Sequence, residues 1–182
     1  MQSPADVLRS EHDAIRSLLG ALEGMVERIR SDNAIPKDDL YDAVAVVAEF
    51  ADRCHQAKEE AVLIPELAKA SPRAAAIAER LKADHVAFRG HVKLIKELLP
   101  KSRTKAVRQR IAGHLATYVR THREHMRLVD EELLPEIDRS LKPEQRARIG
   151  REFERVERAE IGWGMRDAYG AIIRRLADTY GS

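Results

Sequence analysis

The chain has 182 residues, of which 44% are hydrophobic and 34% charged, so a single domain with a proper core is expected and extensive disorder is excluded. Glycine (9), proline (7) and aromatic residues (4%) are scarce, which argues against a protein of strands and turns and favours long helices. The 32 basic and 30 acidic residues nearly cancel, to a net charge of +2, so we expect no nucleic-acid partner.

The predicted compartment rests on three signals that the sequence does not show: a membrane-spanning run, a secretory pattern and a pair of cysteines. No apolar run approaches the roughly 20 residues that span a bilayer, and the N-terminus has no secretory pattern. The lone Cys54 excludes an internal disulfide. We therefore expect a cytoplasmic protein with no membrane partner.

A first helix is predicted to begin at Pro4 and to run for roughly 25 residues. Ser3 fits the N-cap, Pro4 the first helical position, and Asp6 the acidic position of a capping box. Apolar residues recur at three- and four-residue steps from Val7 to Ile29, and Ser31-Asp32-Asn33 then ends the pattern.

Three further long helices follow the same periodicity. The second begins near Pro36 and has Pro65 near its end, where a kink is expected. Ser71-Pro72 repeats the cap-then-proline start for the third, which runs to Pro100. The fourth carries apolar positions from Val107 to Ile137.

The remaining residues predict a helical tail. Lys142-Pro143 starts a fifth helix, Gly162-Trp163-Gly164 interrupts it, and a last helix runs from Met165 to about Tyr180. The side chains expected to pack against the other helices are Trp163, Tyr169, Ile172, Ile173 and Leu176. Because short loops make neighbouring helices antiparallel, the predicted fold is all-α. It is an up-down-up-down four-helix bundle over residues 1–140, with one or two additional C-terminal helices over residues 141–182 packed on it.

Seven histidines are numerous for such a chain. Counting residues from each connecting loop, at about 1.5 Å per residue, puts His12, His55 and His85 in one layer of the bundle. On the fourth helix the same count favours His122, because His125 is displaced from His85 by roughly 9 Å. Both remain candidates.

The other two histidines, His91 and His114, match each other in height but lie nearer the end of the bundle. A single histidine on a helix is usually solvated or hydrogen-bonded, and we interpret this pair in that way.

Carboxylates accompany the histidine layer. Glu59 stands four residues after His55 and shares its helix face, and three acids, Asp130, Glu131 and Glu132, stand close to His125. Imidazole and carboxylate groups that converge inside a bundle are the ligands of di-iron and di-manganese sites, and they also suit zinc. The pattern predicts a buried metal site.

Four segments resemble the motifs of hemerythrin-like (HHE cation-binding) domains, and the resemblance covers about residues 5–140. In the second and fourth segments a proline stands ten residues after the histidine. The segments are Glu11 to Arg16, His55 to Pro65, Asp84 to Arg89 and His125 to Pro135.

The resemblance implies a non-heme di-iron centre inside a four-helix bundle that binds oxygen or reacts with peroxide. Its implied metal ligands are His12, His55, His85 and His125, with Glu59 as a bridging carboxylate. Asp130 is the implied second bridge, because Val129 occupies the position where HHE variants carry glutamate.

One ligand of hemerythrins is missing. Arg89 stands where they carry a second third-helix histidine, and His122, Glu60 or a water is a candidate replacement. A metal with fewer protein ligands keeps an open position, which favours reaction over reversible carriage. We therefore expect a di-iron protein, with Mn or Zn as alternative metals, that binds or consumes O₂, peroxide or nitric oxide.

Two other hypotheses remain open at this stage. In the first, the protein is a metal- or oxygen-responsive sensor that signals to a protein partner through the C-terminal helices. In the second, it is a structural helical protein in which the histidines hold no functional metal.

Overall fold

The computed structural model describes residues 2–181, and every element of secondary structure in that range is helical, which confirms the all-α class. Residues 2–181 form six helices. Three of them are α-helical from end to end: α1 (Pro4–Arg30), α5 (Pro143–Glu160) and α6 (Met165–Tyr180). Helix α3 (Pro72–Leu98) continues into a 3-10 turn, Leu99–Lys101. Within residues 2–181 there is no helix whose length and apolar character would let it cross a membrane.

Helices α2 (residues 37–70) and α4 (residues 105–140) change pitch along their length. Helix α2 is α-helical over Lys37–Val46, Gln56–Lys58 and Ile64–Ala70, and π-helical over Val47–His55 and Glu59–Leu63. Helix α4 is α-helical over Lys105–Leu128 and Leu134–Ser140, and π-helical over Val129–Leu133.

The π-helical turns explain why no break occurs at Pro65. The segments Glu59–Leu63 and Val129–Leu133 each end two residues before a proline, Pro65 in α2 and Pro135 in α4. Proline has no N–H to donate and its ring crowds the preceding turn, so a widened turn accommodates it without ending the helix. Both helices therefore pass through their prolines.

Helix starts follow the sequence signals. The Ser3 hydroxyl accepts a hydrogen bond from the Asp6 amide at 3.1 Å, and the Ser71 hydroxyl accepts one from the Ala74 amide at 3.3 Å. Each serine precedes a proline at the first helical position. These caps satisfy amide groups that have no partner within the helix.

The first four helices pack around one another: α1 contacts α2 and α4, and α3 contacts α2 and α4. Two separate clusters of buried apolar side chains lie between them. On α1, for example, Leu8 belongs to one cluster and Ile15 to the other, with buried His12 between them. A polar layer thus divides the apolar interior at the level of the histidines.

The C-terminal helices pack against α1 and α2. Ile173, Leu176 and Tyr180 of α6 are buried in the larger apolar cluster, and Tyr169 and Ile172 pack against it while remaining partly exposed. Ile149 and Phe153 of α5 belong to the smaller cluster.

The expectation that Trp163 packs against the other helices is wrong, since 80% of the residue is exposed. It stands between Gly162 and Gly164, whose φ angles of 81° and 74° lie in the left-handed region that favours glycine. Its ring instead lies under the Arg158 guanidinium, 4.4 Å from the ring centroid, on the protein surface.

Candidate metal centre

Glu59 lies at the centre of the polar layer and is fully buried. Its Oε1 faces the Nε2 atoms of His12 and His55, at 3.7 and 3.5 Å. Its Oε2 faces the Nε2 atoms of His85 and His125, at 3.0 and 3.4 Å. A single carboxylate therefore stands between two pairs of imidazoles.

The arrangement forms two groups of possible metal ligands that share one residue. We call the group of His12, His55 and Glu59 the first ion position, and the group of Glu59, His85 and His125 the second ion position. In each group the ligand atoms lie within 4.8 Å of one another. Each is a set of two histidines and one carboxylate, which is the ligand set of many non-heme iron sites.

The donor atoms of the first ion position fit a cation. The Nε2 atoms of His12 and His55 and the Oε1 atom of Glu59 are buried and have no hydrogen-bond partner among residues 2–181. Buried polar atoms are normally satisfied, and lone pairs converging on one point are satisfied together by a metal ion. In the second position the Nε2 atoms of His85 and His125 lie 3.1 Å apart, close enough to bind one ion.

A carboxylate on the neighbouring helix holds the other ring nitrogen, Nδ1, of each histidine. Each helix supplies the carboxylate for the next helix around the layer, so that the contacts form a closed ring. The four pairs are Glu11 with His55 at 2.9 Å, Glu60 with His85 at 2.9 Å, Asp84 with His125 at 3.2 Å and Asp130 with His12 at 2.7 Å. An Nδ1–H that donates to a carboxylate leaves the Nε2 lone pair free and correctly aimed for a metal.

The ring has a regular sequence signature. On α1 and α3 the carboxylate directly precedes the histidine, as in Glu11-His12 and Asp84-His85. On α2 and α4 it follows five residues later, at Glu60 and at Asp130. Sequence analysis missed the roles of Glu11 and Asp84, although an acid next to each of these histidines was visible.

The structure does not bring Asp130 into either ion position, so the expectation of a second bridging carboxylate is not met there. Asp130 Oδ1 accepts the hydrogen bond from His12 Nδ1, and its Oδ2 pairs with Arg16. At five residues after His125, its side chain points around α4 toward α1 rather than into the layer. The inward position, four residues after His125, is Val129, which is fully buried.

Glu60 and Arg89 also lie outside both ion positions. Glu60 Oε1 binds His85 Nδ1 and the Arg89 guanidinium, the latter at 2.8 Å. Arg89 further donates to the Gln56 side chain at 2.9 Å. Arg89, which stands where hemerythrins carry a histidine, therefore holds Glu60, the carboxylate that binds His85 Nδ1.

The structure brings His125 into the site and not His122, against the counted heights. The 3-10 turn after α3 adds helical rise of about 2.0 Å per residue beyond the point from which the heights were counted. His122 is buried one turn away, where its ring stacks on Phe88 with centroids 4.5 Å apart. Burial lowers the pKa of His122 well below its ordinary value and keeps the ring neutral.

Electrostatics hold the central carboxylate ionised. Burial alone would raise the pKa of Glu59, but the charge and hydrogen bonds of the surrounding histidines lower it well below its usual range. Burial likewise opposes ionisation of Glu11, yet His55 and Lys58 bring its pKa down to about 2. Burial acts against protonation of His12, but the hydrogen bond to Asp130 and the negative charge of nearby Glu59 raise its pKa to about 9. Protons and cations therefore compete for this site.

His91 and His114 lie apart from the layer, as expected. Their Nδ1 atoms are 3.2 Å apart and both rings are partly exposed. No carboxylate completes a group with them among residues 2–181.

Comparison with known proteins agrees with the site. Residues 3–137 match the Hemerythrin HHE cation binding domain, and this range covers α1 to α3, nearly all of α4 and every residue of the two ion positions. No curated protein and no solved structure matches the chain. The chain belongs to the hemerythrin HHE cation-binding domain family.

Proposed function

We propose that the protein is a non-heme di-iron protein that binds or reacts with O₂, peroxide or nitric oxide. The observation that carries the proposal is the position of Glu59, whose two oxygens face two separate pairs of imidazole Nε2 atoms. A carboxylate placed in this way suits two ions that share it as a bridge.

The donor set favours iron over the alternatives. Two histidines and one carboxylate per ion leave open coordination positions, whereas a structural zinc site is closed by four ligands. Manganese and zinc remain the alternative metals for imidazole and carboxylate ligands. Two bound irons would supply the redox chemistry and the open positions that O₂, peroxide or nitric oxide require.

The residues of the chain orient the site and exclude water from it. The four Nδ1–carboxylate hydrogen bonds fix the imidazole rings, and the apolar clusters above and below the layer bury Glu59 and the four Nε2 atoms. Open coordination positions on a metal ion favour reaction with a bound ligand, whereas reversible oxygen carriage is favoured by a saturated site.

The architecture that we propose around this site is an up-down-up-down four-helix bundle over residues 1–140, with residues 141–182 as a helical extension. The cyclic contacts of α1 with α2, α2 with α3, α3 with α4 and α4 with α1 support this arrangement.

The test is metal content and spectroscopy of protein produced with iron supplied. We expect about two irons per chain and a visible spectrum that changes on addition of peroxide or nitric oxide. Glu59→Gln should abolish binding at both positions, because both groups lose their shared anionic ligand. Glu124→Gln, which makes the same chemical change on the exposed surface of α4, should retain both irons.

Wild-type protein without bound iron would contradict the proposal. Equal iron content in Glu59→Gln and the wild type would contradict the position of the site. Stable reversible oxygenation without turnover would instead support an oxygen carrier.

A further inference from the structure

Glu11, the carboxylate that binds His55 Nδ1, is more deeply buried than the three carboxylates that bind the other histidines. The Glu11 side chain is only 1% exposed, whereas those of Asp130, Asp84 and Glu60 are 23%, 30% and 33% exposed. A carboxylate in so dry an environment needs paired cations to stay in place.

Two cations meet at one oxygen of Glu11. The ammonium of Lys58, which is fully buried, and the guanidinium of Arg166 both donate to Oε1, while Oε2 accepts from His55 Nδ1. Glu157 Oε2 then binds both cations, at 2.6 Å from Lys58 Nζ and 3.0 Å from an Arg166 nitrogen. The two carboxylates and two cations form a balanced cluster.

Half of this cluster comes from outside the matched domain. Glu157 lies on α5 and Arg166 at the start of α6, whereas the family match ends at residue 137. The extension therefore reaches one histidine of the metal centre through Glu11. His85 and His125 are held by Glu60 and Asp84, and within the described part of the extension, up to residue 181, no residue binds these two carboxylates.

We propose that Arg166 is a positioning residue of the metal centre and that the C-terminal extension thereby sets the divalent-cation affinity of the first ion position. Arg166 anchors Glu11 Oε1, and a carboxylate fixed at one oxygen keeps the other against His55 Nδ1. The described residues give the second ion position no such link, so the two positions differ in their dependence on the extension. The inference rests on the proposed metal centre.

The test compares Arg166→Gln with the wild type by titrating metal-free protein with Fe²⁺ in the absence of oxygen, in competition with a coloured chelator. Loss of a residue that orients a metal-binding histidine typically costs 10- to 100-fold in affinity. Because Arg166 acts through Glu11, which Lys58 still holds in the variant, we expect a decrease at the lower end of that range, about tenfold, at one of the two positions and an unchanged affinity at the other. Arg166→Lys should recover much of the loss, because an ammonium can still pair with Glu11.

Arg175→Gln is the matched control. Arg175 lies on the same helix and pairs with Asp39 and Asp42 of α2, the latter at 2.6 Å, but has no contact with Glu11. Its loss should leave both affinities unchanged. An equal effect in the two variants, equal weakening at both positions, or no effect of Arg166→Gln would overturn the proposal.

A second measurement uses metal-free protein. Imidazole ¹⁵N spectra report the Nδ1–H hydrogen bond of each histidine, and Arg166→Gln should shift the His55 signal while leaving the His125 signal in place. Failure of the wild type to take up Fe²⁺ would refute the proposed function. An unmoved His55 signal would refute the positioning role even if iron binds.

Discussion

At the residue scale, the site depends on which way each acidic side chain points from its helix. Asp130 shows this most clearly. The position four residues after His125 faces into the layer, whereas Asp130, five residues after it, points outward and accepts a hydrogen bond from His12. Its Oδ1 lies 2.7 Å from His12 Nδ1 and its side chain is partly exposed. The structure thus assigns it an orienting contact rather than a place among the Glu59-centred ligands.

Asp130→Asn tests this assignment. We expect the variant to bind two irons with about tenfold lower affinity at one position, because His12 loses its charged hydrogen-bond partner but no metal ligand is removed. Iron titration measures both affinities, and Asp13→Asn, beside His12 but exposed, serves as the control. Complete loss of one iron would show that Asp130 is itself a ligand.

Asp52 is a buried acid outside the ligand set. Asp52 Oδ1 accepts hydrogen bonds from Tyr118 at 2.9 Å and Gln56 at 2.7 Å, while Oδ2 is buried and finds no hydrogen-bond partner among the described residues. Burial raises the pKa of Asp52 from 3.8 to about 7, although these hydrogen bonds oppose the shift. The native state therefore favours the protonated acid.

This shift predicts a pH dependence of stability. Because the folded pKa lies above the unfolded one, Asp52 reduces the free energy of unfolding as the pH rises from about 4 to about 7, by up to about 4 kcal/mol. Asp52→Asn keeps an acceptor for Tyr118 and cannot ionise. The free energy of unfolding of the variant, relative to that of the wild type, should therefore rise over that pH range and then level off. Urea unfolding of metal-free protein at pH 5 and pH 8 measures the difference. Parallel pH profiles for the wild type and this variant would contradict the prediction, and the exposed Asp38→Asn should follow the wild type.

At the scale of elements, the close approach of α6 to α1 depends on one glycine. A Cβ atom at Gly24 would stand 1.9 Å from the carbonyl oxygen of Tyr180, so no larger residue fits without displacing the last helix. Gly20, one turn earlier on α1, has no atom within 4 Å of the same added Cβ.

The two glycines therefore predict opposite effects of the same substitution. Gly24→Ala should lower the free energy of unfolding by about 1–3 kcal/mol, the usual cost of overpacking. Gly20→Ala should raise it by about 0.5–1 kcal/mol, because alanine favours the helix interior. Chemical denaturation measures both, and a shared sign would contradict the packing of α6 on α1.

The π-helical turns show what local sequence can and cannot predict about an element. The periodicity of α2 and α4 and their prolines were visible in the sequence, and a kink was expected at Pro65. Helix continuity depends on packing on both sides of the proline, where Leu63 and Leu67 enter the same apolar cluster. Tertiary contacts therefore favoured a widened turn over a break.

At the scale of the whole molecule, the extension and the first four helices share their interior. Side chains of α5 and α6 enter both apolar clusters, and burial of each large one contributes about 1.5–3 kcal/mol. The fully or largely buried ones are Ile149, Phe153, Ile173, Leu176 and Tyr180. Their sum is comparable to the about 5–15 kcal/mol that stabilises a typical domain.

Deletion of residues 141–182 is therefore expected to abolish cooperative unfolding rather than to release an intact domain of residues 1–140. Circular dichroism during heating measures this, with the full chain as the reference. A shortened chain that melts cooperatively within a few degrees of the full chain would show instead that the division at residue 140 separates independent units.

The sequence by itself determined the helical class, the capped starts of α1 and α3, and the histidines and Glu59 as a candidate metal site, because these depend on local propensity and on the 3.6-residue period. Only the tertiary structure decided that His125 rather than His122 enters the layer, that Asp130 points outward, and that Glu11 and Asp84 support histidines on neighbouring helices. Those outcomes depend on the pitch and mutual rotation of packed helices. A difference of one residue in a loop or a π-helical turn changes both the pitch and the rotation of a helix. The local sequence pattern does not show these changes.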